Sequence, residues 1–312
     1  MALSLSLAGS IMEEVVIVGA GVSGLACMNA LLDLGCTPHL FEAGTIGEEK
    51  ICGEFLAQDA VTQLQKWDIG PIERVDAVTV GSLTIKLQGG AITRSLVEQQ
   101  LKERALMLGG TIIENKAIES LEALRYKHIV VATGRFGTKP TSFPYIGLKG
   151  HFLHKEHSPT LHMHPFKGGY YGIVAVSPTV SNITCLVKKE YYAEAMAQIN
   201  KDLDWLEGPI ATFGRKRYPL LPNCYAIGDA FATIPPAAGK GFSFAISSAL
   251  LAASHIFNND QFSYYMNVEK ILRPLLFRAK LLHCIMRSPT ASSFTLQLLT
   301  SFPATRNFFL DS

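Results

Sequence analysis

Three glycines in the stretch EEVVIVGAGVSGLACMNALL, Gly19, Gly21 and Gly24, have the G-x-G-x-x-G spacing with which a backbone can wrap a pyrophosphate. Gly19 permits a tight turn, Gly21 lets the main chain approach a ligand, and Gly24 lets a helix lie close on a strand. Ala20, Val22 and Ser23 between them then offer N–H groups at a helix N-terminus, where the dipole favours negative charge. Glu42, followed by Ala43, stands at the end of the next strand candidate and can accept hydrogen bonds from an adenosine ribose. An acid there disfavours a 2′-phosphate, which leaves FAD or NAD as the dinucleotide rather than NADP.

A second stretch with chemistry is GDAFATIPPAAGKGFSFA, which starts at Gly228. It runs from a strand end through two prolines and a Gly-Lys-Gly turn into a long apolar helix. Asp229 is placed to bind ribitol hydroxyls, and Gly239, Gly241 and Phe242 form a helix start that can face a flavin ring. Lys240 either adds a positive charge there or points to solvent. FAD and NAD share their ADP half, so a distant second strand–turn–helix unit that can receive a ribitol and a flavin favours FAD.

These groups need a scaffold, and the pattern supplies one. A β-branched run at 15–18, a helix over 23–34 and a strand ending at Glu42 make a βαβ unit. A helix near 55–67, alternating strands around 78–87 and the amphipathic stretch TRSLVEQQLKERALMLGG follow. TIIENKAIESL and KHIVVATG are two more strands, too close together to hold a further helical unit between them. From 145 to 189 short alternating runs with Gly, Pro and Asn turns read as an antiparallel, hairpin-built sheet. A helix near 191–204 precedes the return to a buried strand, NCYAIGDA. The tail from Asp260 reads as helical, with Pro274, Pro289 and Pro303 interrupting or separating its helices. The expected fold class is α/β: a discontinuous Rossmann-like FAD-binding domain (12–54, 91–140 and 210–258), an interleaved smaller antiparallel-sheet substrate domain (55–90 and 141–209) and a helical C-terminal tail (259–312).

The chain of 312 residues carries 28 Lys and Arg against 26 Asp and Glu, a net charge of +2, so no global field recruits nucleic acid. Only 17% of residues are charged and 48% are hydrophobic, a balance that points to a greasy ligand or a membrane surface. Six scattered cysteines without a C-x-x-C pair suit free thiols in a reducing, cytoplasmic compartment. The opening MALSLSLAGSIMEE lacks the basic and extended apolar regions of a secretory signal. The longest uncharged stretch, from Gly241 to Asn259, carries serines, His255 and asparagines and reads as a buried helix rather than a membrane span.

Four separated stretches, VGAGVSGL…FEA, KICGEFLAQDA, ITRSLVEQQLKERALMLGGTII and IGDAFATIPPAAGKGFSFAISSALLAA, together resemble the flavoprotein monooxygenase and geranylgeranyl-reductase superfamily, with the para-hydroxybenzoate-hydroxylase-like fold. The resemblance spans nearly the whole chain. It implies that Cys52 and Gly53 lie close to the flavin, that Arg94 lies near the pyrophosphate, and that Gly228 and Asp229 belong to the FAD site. It also implies a contact at Thr133 and Gly134 in VVATGRFG, where the family's Ala-Asp-Gly is altered: Thr133 keeps an oxygen but loses the charge, and Arg135 follows the glycine. No second G-x-G-x-x-G follows a strand, so any NAD(P)H reductant must dock transiently.

Cys52 either packs against flavin or substrate or is a small buried filler like the other cysteines. His151, His154, His157, His162 and His164 invite a metal, with His162 and His164 on one face of a strand, yet no acid or thiol completes a ligand set; structural or substrate-pocket roles are favoured. The tail VEKILRPLLFRAKLLHCIMR sets Lys270, Arg273, Arg278, Lys280 and Arg287 among aliphatic residues. It is a candidate either for peripheral contact with an anionic membrane or for packing back on the domain. The expected activity is FAD-dependent oxidation, with a monooxygenase hydroxylating an aromatic, quinone-like or lipophilic small molecule through reduced flavin and oxygen. A flavin-dependent reductase of isoprenoid double bonds and a flavin- or lipid-binding module without turnover are the alternatives.

Overall fold

The computed structural model describes residues 14–136, 142–199, 202–216, 222–290 and 292. The opening segment read above as no secretory signal lies outside them up to residue 13, as does Pro303. Val15–Val18 is a run of four buried residues, the composition of a strand covered on both faces. It pairs in parallel with His39–Phe41 on one side and His128–Val131 on the other. Thr111–Ile113 and Cys224–Ala226 complete a five-stranded parallel sheet as its two edges.

Helices α1 (Val22–Asp33), α2 (Gln58–Lys66), α3 (Arg94–Met107), α4 (Tyr192–Gln198), α5 (Gly241–Phe257) and α6 (Gln261–Met286) follow in chain order. Helix α1 is buried from Val22 to Leu31 because α3 and α5 both pack on it. That layer meets Val15, Ile17, Leu40, Val130 and Tyr225 of the parallel sheet in one core. The opposite sheet face, with Val16, Ile129, Val131 and Cys224, is covered by Leu121, Leu124 and Tyr126 without a helix. The short spacing between TIIENKAIESL and KHIVVATG thus appears as a helix-free cover over the second face.

The second sheet has eight strands and draws on two stretches of chain. Phe55–Ala57, Glu73–Val80 and Leu83–Ala91 come from the first; Tyr145–Leu153, Thr160–Phe166, Gly169–Ala175, Val180–Lys188 and Leu206–Ile210 come from the second. All pairings are antiparallel except one: Ala77–Val80 runs parallel to Thr160–Met163, the seam that joins the two stretches. Within 145–189 the strands pair antiparallel, as expected; the seam to 77–80 could not be read locally because it joins strands about 80 residues apart.

Two local expectations change. The segment at 55–57 is a strand and α2 begins only at Gln58, because Phe55–Ala57 pairs with Gly89–Ala91. Pro274 does not divide the tail: α6 is one helix through it. Its missing N–H and ring strain are tolerated because the helix is held on both sides of the proline. Tyr264 and Tyr265 donate to the carbonyls of Ala226 and Cys224, and Leu272 and Ala279 are buried.

Candidate cofactor site

The glycine turn sits where the first strand of the parallel sheet delivers the chain to α1. Gly19 has φ +104°, a left-handed value that favours glycine, and a Cβ there would strike the Ala132 carbonyl. A Cβ on Gly24 would run into the Gly19 carbonyl, so helix and turn pack backbone to backbone. Gly21 differs: its Cβ would meet only the Arg94 guanidinium at 3.4 Å and Glu98 at 3.9 Å. That open side is the approach a pyrophosphate requires.

Glu42 holds the turn from the neighbouring strand. Its carboxylate accepts from the backbone N–H groups of Ala20, at 2.6 Å, and Gly44, at 3.0 Å, with Ala43 between. Arg94 opens α3, and its guanidinium is fixed by the wholly buried Glu98 one turn later, at 2.8 Å. Burial works against the Arg94 charge, but Glu98, Cys52 and Asp229 outweigh it and raise its pKa further.

Thr133 and Gly134 follow the strand His128–Val131, next to the central strand and beside the glycine turn. The Thr133 hydroxyl oxygen is buried and has no hydrogen-bond partner. Gly228, at φ +54°, packs against Ser23 of α1 and approaches Ala245 of α5, and its N–H donates to Ser248. Asp229 follows. Burial pushes its carboxyl up, while Arg135, Arg94 and Lys216 pull it down. Lys216 donates to the Arg135 carbonyl at 3.1 Å, and Arg135 stands 4.0 Å from Asp229. Asp229 thus sits among Arg135, Arg94 and Lys216, of which Arg94 is already paired with Glu98.

At the far end, Gly239 takes φ +62° against the Phe55 ring, while a Cβ on Gly241, the first residue of α5, would meet nothing within 4 Å. Neither α1 nor α5 has a side-chain cap, so their first N–H groups are available to a ligand. Phe242 is buried in the first turn of α5. Lys240 leans toward Asp59 of α2 at 3.9 Å rather than into solvent, and Ser243 donates to the same carboxylate.

Cys52 lies between these ends. Its carbonyl accepts from Thr184 and Asn182 of the large sheet, and its thiol lies 3.5 Å from the Glu54 N–H. Burial raises the Cys52 pKa, with Arg94 opposing. A protonated thiol at neutral pH packs rather than attacks.

The most heavily charged part of this region was named in the sequence reading only through His151, with Glu54 and Lys149 missed. Glu54, at φ +57°, points a fully buried carboxylate at three donors. One oxygen accepts from the Arg94 N–H at the start of α3, at 2.9 Å, and from the Lys149 ammonium at 2.6 Å. The other faces the His151 ring at 2.7 Å. Lys149 is itself buried and bridges to Glu49. Its pKa is raised: burial lowers it, but Glu54 and Glu49 more than compensate. The sequence signal was a lysine and a histidine two apart in YIGLKGHFL, which share a strand face. Which face that is depends on the packing of residues 49–54 over it.

The other histidines disperse. His154 meets Ser181 and the Pro178 carbonyl, His157 meets Glu73, His162 bonds Thr79, and His164 stacks on Tyr171 at 4.5 Å. Among the described residues no group of His, Cys, Asp and Glu is arranged to hold a metal. All six cysteines are free, and no described helix is long and apolar enough to cross a membrane.

This fold is that of the flavin-dependent monooxygenases, halogenases and reductases. PqsL from Pseudomonas aeruginosa, described as a probable FAD-dependent monooxygenase, superposes with TM-score 0.75 at 12% identity, over 91% of this chain and 99% of its own. The flavin-dependent brominase Bmp2 gives 0.69 at 17% identity, over 95% and 94%. A geranylgeranyl bacteriochlorophyll reductase-like protein from Thermoplasma acidophilum gives 0.71 at 18%, over 92% and 90%. No protein-family model matches the sequence, and no curated protein matches it.

Proposed function

We propose that the chain is an FAD-dependent oxidoreductase of the monooxygenase type. The observation that carries this reading is a pair of uncapped helix N-termini, of α1 at the glycine turn and of α5 at the far end, with Gly228 between them packed against Ser23 of α1 and approaching Ala245 of α5. The residues fit FAD: the partnerless Thr133 oxygen and the open flank of Gly21 beside Arg94 are features a bound dinucleotide would complete. Structural similarity to PqsL and Bmp2 supports the same cofactor class.

On this reading Glu42 holds the adenosine ribose, the 19–24 turn and Arg94 take the pyrophosphate, and Asp229 takes the ribitol. FAD supplies two-electron redox chemistry and, once reduced, reaction with oxygen. The chain's residues bind, orient and keep the site dry. The α5 N-terminus adds a fixed positive potential worth up to about 2 kcal/mol toward negative charge on the ring. The Cys52 thiol forms part of the wall. The substrate class is a small lipophilic molecule, hydroxylated on an aromatic or quinone-like ring, with NAD(P)H docking transiently as reductant.

The test is the visible absorption spectrum of the purified protein with added FAD, then with NADH or NADPH. Flavin uptake followed by bleaching, and oxygen consumption matched by a hydroxylated product, supports the reading. A colourless protein that takes up no FAD overturns it. The similarity to the reductase-like protein favours a second reading, saturation of isoprenoid double bonds, which anaerobic turnover of a prenyl substrate would support.

A further inference from the structure

The outward face of α6 is unusual in what it lacks. The exposed positions of this helix are Phe262, Met266, Lys270, Ile271, Arg273, Pro274, Phe277, Lys280, Leu281 and Cys284. None is acidic, and apart from Ile271 they fall along one stripe at spacings of three, four and seven. Phe262 is 79% exposed, Phe277 64% and Met266 50%, values that a helix turned only toward water does not need. The single acid within the helix, Glu269, is turned aside and neutralised by Arg215 and Arg273. Asp260, which caps the helix through the Ser263 N–H, is confined to its first turn.

The buried face is separately accounted for. Tyr264, Val268, Leu272, Ala279, His283 and Met286 pack into the protein, and His283 sits between the hydroxyls of Tyr145 and Tyr170, each at 3.2 Å. The helix is therefore anchored by one side and does not need the other for folding. Its 26 residues span about 39 Å, a surface long enough to lie in the headgroup layer of a bilayer.

We propose that α6 is a peripheral membrane-binding face, docking on anionic lipid. The apolar side chains insert at the acyl boundary, and Lys270 and Lys280 flank them at headgroup level, with Arg273 beside them in its ion pair with Glu269. The cationic flank selects this occupant: a purely apolar groove partner would gain nothing from Lys270 and Lys280 with no exposed acid between them. The inference is independent of the flavin reading, since no residue of the stripe belongs to the cofactor site.

The experiment is co-sedimentation of the full chain with vesicles of phosphatidylcholine alone and of phosphatidylcholine with about one third phosphatidylglycerol. Binding to the anionic vesicles, weakened by salt, is expected. Each basic residue near an anionic surface contributes about 1 kcal/mol, so Lys270→Gln with Lys280→Gln should weaken partitioning about 30-fold. Phe262→Asp with Leu281→Asp should abolish it, while melting temperature and flavin content stay as in the wild type. Failure to bind anionic vesicles overturns the proposal, as does equal binding to both vesicle types. Concentration-dependent self-association abolished by Phe262→Asp with Leu281→Asp, without vesicle binding, would assign the face to a second copy instead and also overturn it.

Discussion

Replacing Lys149 with methionine removes the ammonium that faces Glu54 at 2.6 Å and also bridges to Glu49. The side chains of Lys149 and Glu54 are 2% and 0% exposed, so water cannot take the place of the lost charge. Removing one partner of a buried pair costs about 3–5 kcal/mol, because the other charge stays buried. Glu54 would keep the Arg94 N–H and the His151 ring, which places the expected loss near the lower end, about 3 kcal/mol. Urea unfolding at neutral pH reads it directly. Glu54→Gln combined with Lys149→Met removes both charges, and the cycle should show the two losses to be non-additive by more than about 1 kcal/mol.

The pH dependence has a definite sign. The Lys149 pKa is raised above its ordinary 10.5, so its contribution is full below that value and is lost as pH rises through the higher folded-state value. The Glu49 pKa is lowered below 4.5, so its contribution is present above that value and is lost as pH falls. The difference between wild type and Lys149→Met should therefore be flat across neutral pH and shrink at both extremes. A Lys149→Met protein within about 1 kcal/mol of wild type, or strictly additive losses in the cycle, would refute the idea that Glu54 is a buried charge dependent on this lysine.

Other perturbations follow from the same geometry. Gly24→Ala drives a methyl into the Gly19 carbonyl and should cost about 1–3 kcal/mol of stability together with most of the bound flavin, read as the ratio of flavin to protein absorbance. Asp229→Ala should weaken FAD binding at least about tenfold in a fluorescence titration, the value of one hydrogen bond to a charged group; unchanged affinity would remove Asp229 from the ribitol. His283→Leu leaves the Tyr170 hydroxyl only its Ala237 backbone partner and should cost about 1 kcal/mol. Burial holds His283 down to about 4, against an ordinary 6.5, so the unfolded chain takes up the proton first. Stability is thus lost as pH falls from 6.5 toward 4, by up to about 3 kcal/mol, and that acid-side loss should vanish in the leucine variant.

The parts whose meaning is local are legible in the residues alone. The buried run at 15–18, the spacing of the three glycines, Glu42 at the next strand end and the turn before α5 each depend on a few neighbouring residues, and the backbone physics of strands, tight turns and helix starts selects residue types position by position. Features that depend on a partner far along the chain are not legible in this way. The parallel seam between 77–80 and 160–163, the unbroken passage of α6 through Pro274, and Lys240 turned toward Asp59 all follow from packing across long separations. The Glu54–Lys149–His151 cluster shows the reason most plainly. A lysine and a histidine on one strand face read equally well as solvated or buried until residues 49–54 fold over them, and the free energy of a charge depends on what covers it.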